Sequence, residues 1–82
     1  RSIAGAEVVV LFSEVEPGKV KVSMRSTGRA SVDAVASRLG GGGHVHAAGV
    51  QLRGSRPDAR GRILPELRRI VEPLAPLPGG TR

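Results

Sequence analysis

The chain has no cysteine, tryptophan or tyrosine, and only one phenylalanine and one methionine. Each shortage removes a class of answer. Without cysteine there is neither a disulfide framework nor a thiolate metal site, which is neutral to weakly favourable for a cytosolic origin. With Phe12 as the only aromatic, the stacking platforms used by single-strand-binding folds are disfavoured. The longest apolar run is residues 8–12, far short of the roughly 20 residues a membrane span needs, and nothing resembles a signal peptide. The expectation is a soluble, cytoplasmic protein with no membrane partner. Internal repeats are also missing. The only methionine is Met24, so Arg1 is not a translation start, and the chain reads as a piece of a longer protein.

What is present fits one small domain. At 82 residues with 39% hydrophobic side chains, the chain can build a single core but not a second. Thirteen Lys and Arg against seven Asp and Glu give a formal charge of +6, and eleven of the thirteen are Arg. Arginine suits bidentate contacts to phosphate, so an anionic partner is one reading. The other is that an Arg-, Ala- and Gly-rich composition follows codon usage and the charges solvate the surface.

Residues 6–15 carry the β-branched run Val8-Val9-Val10, extended by Leu11 and Phe12. Uniform apolarity predicts a strand covered on both faces. Glu16-Pro17-Gly18-Lys19 has Pro second and Gly third, the preference of a type II turn, and predicts a hairpin. The returning strand, 19–25, alternates: Val20, Val22 and Met24 on one face, Lys19, Lys21, Ser23 and Arg25 on the other. Ser31 is placed to cap a helix over 32–39, with Asp33 in its first turn and Val32, Val35, Ala36 and Leu39 as one apolar stripe. Gly40 is placed as its C-terminal cap. A short helical turn is expected over 44–48 and a strand over 50–53. Residues 54–58 carry helix-start signals, and from Ile63 to Leu74 the apolar positions repeat with helical period. Pro65 interrupts that run, which predicts a kink or a second start there. The order argues for an α+β layer domain, with a mixed β-sheet that begins with a hairpin and helices packed on it.

Gly40, Gly41, Gly42 and Gly43 stand in a row before His44, Val45, His46, Ala47, Ala48 and Gly49. Four glycines cost backbone entropy, so the run needs either unusual φ values or a close approach. A flexible linker would join two domains; this run has one core's worth of sequence around it and must be an internal loop. Glycine N–H groups, with the free N–H groups of a following helical turn, can converge on an anion. The run is not a P-loop, because no Lys-Ser or Lys-Thr follows, and not a dinucleotide fingerprint, because it follows a helix. His44 and His46 have no third ligand spaced to complete a zinc site. His44 is read as a donor to phosphate or an aid to proton transfer, and His46 as a surface residue. Arg25 and Arg29 are loop charges by composition; Arg25 stands out because it closes a polar strand face that already carries Lys19, Lys21 and Ser23.

These stretches together resemble a known family. Lys21-Val22-Ser23-Met24-Arg25-Ser26, then Ser31-Val32-Asp33-Ala34-Val35-Ala36, then Gly40-Gly41-Gly42-Gly43-His44 with Ala47-Ala48-Gly49, are similar to the DHH-associated domain over roughly residues 8–74. That is the C-terminal substrate-binding domain of DHH-family phosphoesterases, which include RecJ-like exonucleases, nanoRNase/pAp phosphatases and cyclic dinucleotide phosphodiesterases. The resemblance implies a two-lobed parent enzyme, a metal-dependent phosphodiesterase or exonuclease whose N-terminal DHH domain holds two metal ions, usually Mn2+. This chain has no Asp-His-His, so that lobe and its manganese lie outside it, no catalytic residue is assigned here, and the fragment alone is expected to be inactive.

By the same resemblance, Gly41, Gly42, Gly43 and His44 hold substrate phosphate, with His44 an assisting residue, while Arg25 and Ser26 help bind the nucleotide. Asp33 matches a position that is often Asp or Asn, and His46 falls in a variable place. Residues 1–75 form the domain and 76–82 a flexible tail. Its partners are a nucleotide or short single-stranded nucleic acid and the N-terminal domain of the parent. The alternative is a non-catalytic interaction or oligomerisation module whose Arg-rich last helix docks a partner and whose glycines serve only tight packing.

Overall fold

The computed structural model describes residues 7–72. The elements run β1 (Glu7–Glu16), β2 (Lys19–Thr27), α1 (Val32–Arg38), β3 (Gly42–His44), β4 (Ala47–Arg53) and α2 (Arg56–Val71). The expected tail at 76–82 and the end of the last helix at Leu74 lie outside the described residues. The four strands form one sheet in the order β1-β2-β4-β3. Each neighbouring pair is antiparallel, so the α+β class holds while the sheet is antiparallel rather than mixed.

β2 is the strand on which the sheet is built. Val20, Val22 and Met24 are buried and the residues between them are not, because a strand sends alternate side chains to opposite faces. Antiparallel partners share a face, so Val8, Val10 and Phe12 of β1 and Val50 and Leu52 of β4 join the buried side. Val32, Val35 and Ala36 of α1, with Ala59, Ile63 and Leu67 of α2, cover that side and complete the core. Both helices pack on one face of the sheet; the other face is open among the described residues.

That corrects the reading of β1. It lies at the sheet edge with only alternate residues half-buried, while Val9 and Leu11 remain 55% and 64% exposed. Pro17 and Gly18 make the predicted turn, with Gly18 at φ 77°, and a register shift between Glu14 and Glu16 marks a bulge just before it. The Gly18 carbonyl accepts from the Gly54 amide at 2.7 Å, which ties the β1-β2 turn to the start of α2.

Helix ends are set by local chemistry. Ser31 is the N-cap of α1, yet its side chain makes no capping bond; the Val45 carbonyl takes the Val32 amide instead, at 2.9 Å. At the other end Gly40 (φ 92°) donates to Ser37 and Gly41 donates to Ala36 at 2.7 Å. This is the paired closure of a Schellman motif, which needs a residue in the left-handed region. α2 begins earlier than its apolar period suggests. Ser55 and Asp58 form a reciprocal capping box, and Pro57 sits in the first turn, where its missing N–H costs nothing. Pro65 lies inside one continuous helix. The carbonyl it leaves unpaired, four residues back, belongs to exposed Gly61, where water can satisfy it.

The capping box gives the fold a testable acid sensitivity. The Asp58 carboxylate accepts from the Ser55 amide at 3.0 Å, and that bond first, then the Ser55 hydroxyl, holds its pKa below the ordinary value. A lowered folded-state pKa contributes stability above the unfolded-state value, lost as pH falls through the folded one. Asp58→Ala removes the titrating partner of both bonds and is expected to lower stability at neutral pH. In thermal melts the gap between wild type and variant should narrow as the pH is lowered through the acid range; a gap that stays constant would show that the box does not form.

Candidate phosphate-binding face

The open face can be assembled row by row from the strand register. One row, crossing the sheet from edge to edge, holds Val9, Arg25, Ala47 and His44. The next holds Leu11, Ser23, Gly49 and Gly42, and a third holds Ser13, Lys21 and Gln51. The middle row has almost no side chain beyond Leu11, whereas Arg25 rises on one side of it and Lys21 on the other. The outcome is a trough across the strands, floored by Ser23, Gly49 and Gly42 and walled by two cations. A depression of about 260 Å³ occupies this place, lined by Lys21, Ser23, Arg25, Gly42, Ala47 and Gly49 among others.

The four glycines take different parts in this arrangement. The expected loop followed by a helical turn over 44–48 is replaced by a β-hairpin: β3 and β4 pair His44 with Ala47 across Val45 and His46. No helix N-terminus therefore points at an anion here. Gly40 and Gly41 close α1. A Cβ on Gly41 would run into the Gly49 carbonyl and lie 2.6 Å from the Val50 Cβ. Gly43 has φ 145°, and its Cβ would lie 2.5 Å from the Ala48 Cα. Gly49 is tight as well, 3.1 Å from the Val22 carbonyl. Gly42 alone of the run has both an ordinary φ and nothing within 4 Å of where its Cβ would stand. The fold requires glycine at 40, 41 and 43 but not at 42.

Of the residues singled out in the sequence, Arg25, Gly42 and His44 share the open face. His44 sits in the same row as Arg25, with Ala47 between them, at the rim and outside the lining of the depression. Ser26 goes elsewhere. It pairs with Val8 on the core side, and its buried hydroxyl donates to the Ala30 carbonyl at 2.7 Å, with the Val45 carbonyl also near at 3.3 Å. Asp33 is a first-turn residue of α1.

Sequence reasoning missed two groups. Lys21 and Ser23 were legible as the polar face of β2 but not as trough-lining residues, because that requires the β4 and β3 register. His46 is exposed as expected, yet it is held: its ring lies 2.9 Å from the Gly28 carbonyl, and since a carbonyl only accepts, Nε2 carries the proton. The His46 carbonyl in turn accepts from the Ser26 amide at 3.1 Å. The hairpin tip is thereby sewn to the loop between β2 and α1, which fixes where His44 stands. Among the described residues no three His, Cys, Asp or Glu side chains gather where a metal could bind. The side chains present do not fit a manganese centre; what they can do is bind and position an anion. Among the described residues no helix is long and apolar enough to cross a membrane.

The burial of Ser26 makes its role checkable. Ser26→Ala removes the donor from the buried Ala30 carbonyl and should lower stability by about 1–3 kcal/mol in urea titrations, without altering the opposite face. An unchanged midpoint would mean that the hydroxyl does not hold the hairpin tip.

Comparison with known proteins gives the family. The DHHA1 domain model matches residues 1–72. A curated relative, the bifunctional oligoribonuclease and PAP phosphatase NrnA of Thermus thermophilus, is 46% identical over 69 residues, which is 83% of this chain and 21% of that protein. The chain thus spans about a fifth of that relative's length. With the family model covering nearly all of the chain, the protein belongs to the DHHA1 domain family.

Proposed function

We propose that the open face binds the phosphate of a nucleotide or short single-stranded nucleic acid and holds it for a phosphoesterase centre supplied by an N-terminal DHH lobe of the whole protein. The observation that carries this is Gly42. At this first position of β3 neither φ nor crowding requires glycine. Its side-chain space is the floor of the trough. A bare floor between Arg25 and Lys21 lets a tetrahedral oxyanion approach the backbone while two cations neutralise it. Ser23 offers a hydroxyl from the same floor, and His44 a ring N–H from the rim.

The relative's name supports this chemistry: it is an oligoribonuclease and a PAP phosphatase, and both activities are hydrolyses at a phosphate ester. In this reading the chain orients the substrate and neutralises phosphate, while the metal ions, manganese by resemblance, belong to the other lobe. The chain alone hydrolyses nothing. Treating the glycines as packing devices in a pure interaction module accounts for Gly41 and Gly43 and leaves Gly42 without a reason.

Titration of the chain with PAP at fixed ionic strength tests this. Gly42→Val should keep or raise the melting temperature while weakening binding by roughly tenfold or more, since its side chain fills the trough. Arg25→Ala should weaken binding by roughly three- to tenfold. Arg68→Ala, which removes the same charge from an exposed position on α2, should leave it nearly unchanged. Equal losses for Arg25→Ala and Arg68→Ala, erased together by salt, would reduce the interaction to net charge and sink the site.

A further inference from the structure

The rows that form the trough continue onto β1, whose residues lie outside the lining of the depression and differ in character from the rest of the face. Along the outward side of β1 the residues are Glu7, Val9, Leu11 and Ser13. The two aliphatic side chains are 55% and 64% exposed, and they stand opposite Arg25 and Ser23. Polar residues return on both sides of them. A third exposed aliphatic of β1, Val15, lies beyond Ser13 at the bulge before the turn, so within the rows of the trough the apolarity falls on the two positions that continue its upper wall and its floor. An edge strand with large aliphatics facing water is a liability that proteins usually blunt with charge, so these two need an occupant.

Resting on the phosphate reading above, we infer that Val9 and Leu11 form the shelf that takes the nucleoside part of the same ligand. Adjacent strands lie about 4.8 Å apart, which sets Leu11 roughly 10 Å from Gly49, two strands away. That is comparable to the reach from a phosphate to the base of one nucleotide. A ligand with phosphate over Gly49 and Gly42, flanked by Arg25 and Lys21, lays its ribose across Ser23 and its base on Leu11 and Val9. Charge at one end of the trough and apolar surface at the other match the two ends of a nucleotide. Neither aliphatic side chain has a donor or acceptor, so the shelf adds affinity through buried apolar area without choosing among bases. The specificity this predicts is for a nucleoside phosphate of any base over a bare sugar phosphate.

The test uses the chain with three kinds of ligand: inorganic pyrophosphate, ribose 5-phosphate and the four nucleoside 5′-monophosphates. Wild type is expected to bind all four nucleotides with similar affinity, each on the order of fivefold tighter than ribose 5-phosphate. Leu11→Ser and Val9→Ser should bring the nucleotides down to the sugar phosphate and leave pyrophosphate unchanged. Both residues are exposed, so melting temperatures should stay near wild type, and a variant that does not fold is replaced by Leu11→Thr. Pyrophosphate binding that depends on Arg25, combined with no preference for nucleotides over ribose 5-phosphate, would overturn the shelf alone. No Arg25-dependent binding of any phosphate would remove the phosphate reading and the shelf with it. If Leu11→Ser abolishes self-association in sedimentation and changes no nucleotide affinity, the shelf is covered by a second copy and the inference fails.

Discussion

The register of β2 against both of its neighbours is the constraint from which the rest follows. Because side chains alternate with period two, the pairing that buries Val20, Val22 and Met24 necessarily turns Lys21, Ser23 and Arg25 outward. A slip of one residue would bury the cations and expose the core, so the hydrophobic effect itself specifies the position of the charged face. The same register carries through β4 to β3. It sets Gly49 and Gly42 in line with Ser23, and Ala47 and His44 in line with Arg25. Core and trough are two sides of one pattern, and neither can be altered in register without losing the other.

The glycine run shows how one composition answers several demands. α1 must end where the chain turns back under its own C-terminus, and Gly40 and Gly41 provide the positive φ and the two amides that close it. β3 must then lie against β4 so tightly that Gly41 and Gly43 have no space for a methyl group. That close packing brings the third strand of the trough into line. The hairpin tip is held by hydrogen bonds from Ser26 and Val32 to the Val45 and His46 carbonyls and by the His46 ring on Gly28. Most of the residues between His44 and Gly49 thus serve position, and the part left to face the proposed ligand is Gly42, His44 and the small residues beside them.

Much of this was legible in the sequence, and the failures have physical causes. Strict alternation in β2, the Pro17-Gly18 turn and the Val32, Val35, Ala36 stripe each carry a period that side chains report directly. Gly40 reads as a cap because few other residues tolerate its φ. β3 was missed because a strand made of Gly42, Gly43 and His44 has no side-chain pattern to read, and its existence depends on a close approach that only the folded chain reveals. β1 was read as covered on both faces because five consecutive apolar residues satisfy that pattern; its position at the edge depends on what pairs with it. The first half of α2 was hidden because Ala59 is the only buried residue before Ile63, so the capping signals at Ser55, Pro57 and Asp58 stood without a stripe to confirm them. Ser26 was placed by motif beside Arg25, yet neighbours in a strand face opposite ways, and alternation alone would have sent it to the core side.

An open trough on a sheet would be a weak binder by its nature, and on the proposed reading that has a consequence for how the domain would work. Near a water-exposed surface two cations gain little from an anion, since the effective dielectric is high and salt screens what remains. Bringing a second surface over the trough would exclude water and strengthen the same contacts severalfold without moving Arg25 or Lys21. The domain's rigidity favours this division of labour. Arg25 and Lys21 project from an inner strand of the sheet, and Gly42 is held between Gly41 and Gly43, which with Gly49 are closely packed, so the surface is formed before any ligand or partner arrives. Affinity then depends on closure while geometry does not. On the proposed reading, a ligand held only loosely by an open face would leave once the cover lifted, which would suit a surface that releases its ligand on every cycle.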